Sequence, residues 1–61
     1  MAKRIIIQCD TVTVYSETEL EAEFDGLKVK LPRSECFMSP DNELELPLWL
    51  AVQERLDIYE V

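Results

Sequence analysis

Hydrophobic and charged residues alternate along residues 20–31, and Asp25-Gly26 interrupts the alternation at its middle. Two alternating runs around an Asp-Gly pair predict a β-hairpin with a two-residue type I′ loop. That loop sets the register. Phe24 faces Leu27, Ala22 faces Val29 and Leu20 faces Leu31 on one side; Glu23 meets Lys28 and Glu21 meets Lys30 on the other, opposing charge with charge.

The same period of two extends to both sides. Residues 4–9 predict a first strand, with Ile5, Ile7 and Cys9 on one face and Ile6 and Gln8 on the other; its β-branched content favours strand over helix. Asp10-Thr11 reads as a turn or bulge, and residues 11–15 alternate again. Val12, Val14, Leu20, Ala22 and Phe24 share parity, so one bent strand from 12 to 24 is compatible with the pattern. A break at Ser16-Glu17 agrees better with ordinary strand lengths. Pro32 ends the following strand or places it at an edge. Residues 35–38 predict a short strand with Cys36 and Met38 on one side and Phe37 on the other. Ser39-Pro40-Asp41-Asn42 is a turn sequence, and residues 43–46 should return as a second hairpin.

Beyond Pro47 the period changes. Proline suits the first position of a helix, and Leu48, Trp49, Val52 and Leu56 lie at helical spacing. The pattern predicts a helix over residues 47–56 with Trp49 as its core anchor. Leu50 falls off that stripe, on the rim or as an exposed contact for a partner. Residues 57–61 alternate and suit a short strand or an ordered extension. The expected fold class is α+β: one domain over residues 1–61, a small twisted antiparallel sheet or partial barrel of four to five strands, with one C-terminal helix.

Composition narrows the function. The chain has 61 residues, one Gly, three Pro and no His, and about half its residues are hydrophobic, as in a globular domain. Without histidine, the commonest general acid–base and metal-ligating side chain is missing. One glycine cannot form a glycine-rich phosphate loop. So small a scaffold hardly supplies a walled catalytic cleft. The chain is therefore read as a non-enzyme without cofactor or metal. A calcium site at Asp41, Asn42 and Glu43 lacks the EF-hand pattern. Cys9 and Cys36 stand apart without a C-x-x-C motif. They read as free thiols serving as small hydrophobes in a reducing compartment, with a disulfide as the other reading. The basic-then-apolar N-terminus has too short an apolar run for a signal peptide, and no run of residues is long enough to cross a membrane, so a cytoplasmic location is expected.

Thirteen acids against six bases give a net charge of −7. Such a chain is repelled by nucleic acid and anionic membranes and attracted to the basic surface of a nucleic-acid-binding protein. Glu17, Glu19, Glu21, Glu23 and Asp25 share one side of the first hairpin, and Asp41, Glu43 and Glu45 lie on the second. Same-face residues repeat every ~6.6–6.8 Å along a strand, close to the phosphate spacing of a DNA strand. Such a row either imitates phosphates or is a solvated sheet face. Glu21 and Glu23 have lysines opposite them. The partner-binding candidates are accordingly Glu17, Glu19, Asp41, Glu43 and Glu45.

Two runs, Val29-Lys30-Leu31-Pro32-Arg33-Ser34-Glu35 and Leu46-Pro47-Leu48-Trp49-Leu50-Ala51, resemble a family of small proteins encoded by phages and prophages. That family reads aspartate-glycine, then tryptophan-any-proline-lysine-serine-glutamine, then valine-proline-glutamate-tryptophan-leucine-alanine and glycine-leucine. Asp25-Gly26, Pro32, Ser34, Pro47, Trp49, Leu50, Ala51 and Leu56 fit it; Lys30, Leu48 and Arg55 depart from it, standing where an aromatic residue, Glu and Gly are usual. The resemblance covers about the last two-thirds of the chain. It implies a mobile-element origin and a β-rich domain with one helix, and no established activity. Together with size and acidity, it leads to the expectation of a phage-type interaction protein that binds a basic surface of a host protein. Its specific form would be an anti-defence inhibitor, anti-CRISPR-like and nucleic-acid-mimicking. The alternative is a structural or assembly module of a phage or prophage, or a homodimer formed through Leu50 and residues 58–61.

Overall fold

A computed structural model describes residues 3–61; Met1 and Ala2, the start of the basic-then-apolar N-terminus, lie outside the described residues. Among the described residues, six strands form two antiparallel sheets of three. β1 (Arg4–Gln8), β6 (Glu43–Pro47) and β5 (Phe37–Met38) make one, in the order β1-β6-β5. β2 (Thr11–Val14), β3 (Glu19–Phe24) and β4 (Leu27–Pro32) make the other, in the order β2-β3-β4. They are called here the closing sheet and the meander sheet. One helix, α1 (Leu48–Gln53), follows β6. The fold of the described residues is mostly β with a single C-terminal helix, and its six strands in two sheets exceed the four to five expected for a small sheet or partial barrel.

The hairpin that the pattern predicts is present in the predicted register. Phe24 pairs with Leu27, Glu23 with Lys28, Ala22 with Val29, Glu21 with Lys30 and Leu20 with Leu31. Asp25 and Gly26 have φ of 52° and 84°, the two positive values that a type I′ turn requires. The Asp10 carboxylate accepts the Asp25 N–H at 2.6 Å, tying the loop to the β1–β2 link. The opposed charges meet in register without forming ion pairs. Among the described residues the one ion pair is Arg4–Glu45, and the Lys30 ammonium lies over the Tyr15 ring at 4.3 Å.

The strand of residues 12–24 is broken, as strand length favours. Ser16 Oγ accepts the N–H groups of Thr18 and Glu19, and the Tyr15 and Ser16 N–H groups both donate to the Glu19 carbonyl. This local side-chain turn competes successfully with strand continuation. Between β1 and β2 the chain changes sheets at Cys9-Asp10. The Cys9 N–H donates to the Asn42 carbonyl and the Asp10 N–H to that of Glu23. Each side of this corner is thus bonded into a different sheet, the way strands switch sheets in packed β structures.

The inward faces of both sheets supply the core. Ile5, Ile7, Leu44 and Leu46 come from the closing sheet; Leu20, Ala22, Phe24 and Leu31 come from the meander sheet; Leu50, Ala51 and Leu56 close one side. The second hairpin forms as expected, Phe37 opposite Glu45 and Met38 opposite Leu44. Its first strand is shorter than expected, because Arg33–Glu35 form a 3-10 turn after Pro32.

The helix departs most from expectation. It ends at Gln53 rather than near Leu56, and Pro47 is its N-cap rather than its first residue. Trp49 is 51% exposed and Val52 53%, whereas Leu50 retains 3% of its surface. The inward stripe is therefore Pro47, Leu50 and Ala51, at i, i+3 and i+4. β6 delivers Pro47 to the core already buried, and this sets the phase of everything after it. Leu56 reaches the core by another route. Arg55 takes φ of 61°, its N–H donates to Val52, and the Leu56 N–H donates to Ala51. That is a Schellman C-cap, which turns the second residue beyond the helix inward. With Leu50 buried, it is removed as a partner or dimer contact.

The tail is an ordered extension. Asp57–Tyr59 form a 3-10 turn. Tyr59 stacks on Phe24, with ring centroids 4.4 Å apart. Glu60 then bridges to Ile7, and the Val61 N–H donates to the Ile6 carbonyl.

Candidate functional site

The two sheets present different outer faces. On the meander sheet, Thr11 and Thr13 stand beside Glu23 and Glu21, which stand beside Lys28 and Lys30. The Thr11 hydroxyl donates to the Glu23 carboxylate at 3.2 Å. This is a mixed-charge surface of the kind water solvates well.

The outer face of the closing sheet carries Arg4, Ile6 and Gln8 from β1, Glu43 and Glu45 from β6, and Phe37 from β5. Ile6, Glu45 and Phe37 form one cross-strand row. Ile6 is 43% exposed and Phe37 64%. A shallow groove of about 120 Å³ runs along this face, lined by Ile6, Phe37, Met38, Ser39, Glu43 and Glu45. Its floor is apolar and its wall carries two carboxylates one strand repeat apart.

The five acids expected to bind a partner are not gathered into one row. Glu17 and Glu19 lie at the β2–β3 turn of the meander sheet, Asp41 lies in the β5–β6 turn, and only Glu43 and Glu45 share the groove. Glu45 also has a partner that the hairpin register alone does not show: Arg4 Nε donates to its carboxylate at 2.6 Å. Arg4 reaches it because β1 lies against β6, a pairing of residues 41 positions apart. Glu17 has Arg33 beside it. The guanidinium donates to the carbonyls of Ser16 and Glu17, at 3.3 and 3.2 Å.

In the β5–β6 turn two backbone carbonyls tie the loop to the β1–β2 corner. The Asp41 carbonyl accepts from the Gln8 amide at 3.0 Å and the Asn42 carbonyl from the Cys9 N–H at 2.9 Å. Among the described residues, no three His, Cys, Asp or Glu side chains are placed to hold a metal ion. Cys9 and Cys36 are free and buried. Burial pushes both thiols up to about 11, with the Asp10 and Cys36 charges adding to the rise at Cys9; at Cys36, Arg4 lowers the value and Glu35 raises it. Such thiols stay protonated at neutral pH and are poor nucleophiles.

The alternation already placed Ile6 and Phe37 on the faces opposite Ile5 and Cys36. What it could not show is that β1 and β5 flank the same strand, which puts Ile6 and Phe37 on one surface. Among the described residues, no helix is long and apolar enough to cross a membrane. No family model, curated protein or solved structure matches the chain.

Proposed function

We propose that this chain is a small acidic interaction protein whose outer closing-sheet face docks on a basic protein surface. The observation that carries the reading is the groove, where an exposed apolar floor of Ile6 and Phe37 meets the carboxylates of Glu43 and Glu45. Apolar contact supplies affinity, and the surrounding negative charge steers encounter with a cationic partner. Glu17, Glu19 and Asp41 lie outside the groove and act through the long-range field of a chain with net charge −7. In its specific form the protein is a phage-type anti-defence inhibitor, acting in the host cytoplasm on a protein that handles nucleic acid. That form draws on the net charge and on the phage-like runs around Pro32 and Trp49. It involves no enzyme chemistry, no cofactor and no direct contact with nucleic acid or membrane.

The experiment is capture from host lysate at low and high salt, with Glu17, Glu19, Asp41 and Glu43 reversed to Lys together and folding checked by circular dichroism. Glu45 is left in place because it holds Arg4. The wild type should capture a basic protein that salt or duplex DNA releases, and the reversed variant should not. Equal capture by both would sink the reading.

The exposed Phe37, Met38 and Ile6 side chains favour a second reading, a homo-oligomeric assembly module. Sedimentation at high salt separates the two. Self-association through an apolar face survives salt, while docking by charge weakens.

A further inference from the structure

Arg4 crosses the outer face of the closing sheet instead of extending into water. Its Nε donates to Glu45 Oε2 at 2.6 Å, and its Nη2 donates to the carbonyls of Glu35 at 3.0 Å and Glu45 at 3.4 Å. Its guanidinium carbon lies 5.2 Å from the centroid of the Phe37 ring. A carboxylate, two carbonyls and an aromatic face together suit a planar, five-donor cation. The seat is not sealed, since the side chains of Arg4 and Glu45 keep 34% and 43% of their exposure. Beside it the groove continues past Ile6, Met38 and Ser39 to Glu43, a second carboxylate with no hydrogen-bond or ion-pair partner among the described residues.

We infer that this face is a docking groove for an extended, arginine-bearing segment of a partner protein, and that Arg4 is a resident occupant which a partner arginine displaces. The inference rests on the proposed function and gives that partner its chemistry. Glu45 and Glu43 are two positions apart on β6, so their side chains repeat at ~6.6–6.8 Å, the same repeat as alternate side chains of an extended peptide. One arginine of an Arg-x-Arg segment takes the Glu45–Phe37 seat and the other takes Glu43, while the intervening backbone runs along β6 beside Met38. Lysine fits less well, because a compact ammonium offers no planar fork to lie on Phe37 while bonding Glu45. Displacing Arg4 reduces the apparent affinity of the incoming segment by the fraction of time the seat is filled.

The test uses capped hexa-arginine and hexalysine peptides, titrated calorimetrically and by amide chemical-shift mapping on the isotope-labelled full chain. Hexa-arginine should bind more tightly than hexalysine by roughly two- to fivefold, the range of an exposed cation–π contact. Its shifts should centre on β5, β6 and Ile6. Phe37→Leu should abolish the difference between the peptides, and Glu43→Gln should weaken hexa-arginine by about two- to fivefold. Arg4→Lys keeps the charge but lacks the fork, so it should strengthen hexa-arginine binding, whereas Lys28→Arg on the meander sheet should leave it unchanged. Equal binding of the two peptides, with shifts spread over the meander sheet, overturns the groove and leaves the general acidic reading standing. Binding of neither peptide at low salt overturns both. Weaker binding by a folded Arg4→Lys protein overturns the displacement. Should that variant unfold, the Phe37→Leu comparison decides alone, and a retained preference for hexa-arginine counts against the seat.

Discussion

In the meander sheet every strand pairs with its neighbour in sequence, β2 with β3 and β3 with β4; in the closing sheet β1 must find β6, whose Glu45 lies 41 positions beyond Arg4. The first arrangement is written in local chemistry, a positive-φ loop and a side-chain turn. The second depends on inward apolar side chains meeting after a large loop has closed, which local preference does not encode. The outer faces differ accordingly. The local sheet carries interleaved charge, and the long-range sheet gathers Ile6, Phe37 and an arginine–glutamate pair from three separate stretches of chain.

The largest test of this contrast lies in the closing sheet's core. Leu46→Ala empties a fully buried site that helps hold β6 between β1 and β5 and should cost about 2–5 kcal/mol in urea unfolding. For a domain whose total stability is only ~5–15 kcal/mol, that approaches loss of the fold. Gly26→Val strikes the meander sheet. Space around Gly26 is open, so strain comes from its φ of 84° alone. The left-handed conformation costs an ordinary residue about 1–2 kcal/mol, and a β-branched one should lie at or above the upper end. If Gly26→Val proves more damaging than Leu46→Ala, the meander hairpin rather than the closing sheet dominates stability.

Trp49→Ala should cost about 1–2 kcal/mol, below the ~3–5 kcal/mol of a fully buried aromatic. Its fluorescence should lie towards that of indole in water, since half the side chain is exposed. This is where the sequence misleads. Residues 47–56 contain two overlapping helical stripes, and of the one with the larger residues Leu48 and Leu56 pack on the core while Trp49 and Val52 face out. Which stripe points inward is set by the buried Pro47 at the end of β6, a tertiary fact. By contrast the Asp25-Gly26 hairpin, its register, the Ser16 break and the second hairpin are all readable, because each is decided within a dozen residues. The candidate site divides in the same way. Glu43 and Glu45 are visible as a pair on one strand, while their apolar neighbours and Arg4 become visible only once β1 and β5 are seen to flank β6.

Alkali should probe the corner between the sheets, where Cys9 sits. An unfolded thiol loses its proton near 9.0, and in the folded protein burial holds both thiols up to about 11. Between those values the unfolded chain binds fewer protons, so stability should fall as pH rises through the window and level off above it. Denaturation midpoints of wild type and a Cys9→Ala, Cys36→Ala protein, compared from pH 8 to 11, isolate the effect; the variant should show the shallower decline. The smallest effect expected is a gain. Arg55 occupies the left-handed C′ position of α1, where glycine carries no steric penalty. Arg55→Gly should raise the denaturation midpoint by about 0.5–1 kcal/mol equivalent.

The separation of β1 from β6 also has a consequence during synthesis. The meander sheet can form as soon as β4 has emerged, but Ile5-Ile6-Ile7 has no partner strand until β6 follows. At ~5–20 residues per second, 41 positions correspond to roughly 2–8 s. Throughout that interval a short β-branched segment stands uncovered on the nascent chain, with Arg4 and Lys3 just ahead of it. Charged residues flanking such a segment act as gatekeepers against premature strand pairing. Arg4 is therefore placed to act as such a gatekeeper in the half-made polypeptide, and in the folded protein it lies across the face that the same segment helps to build.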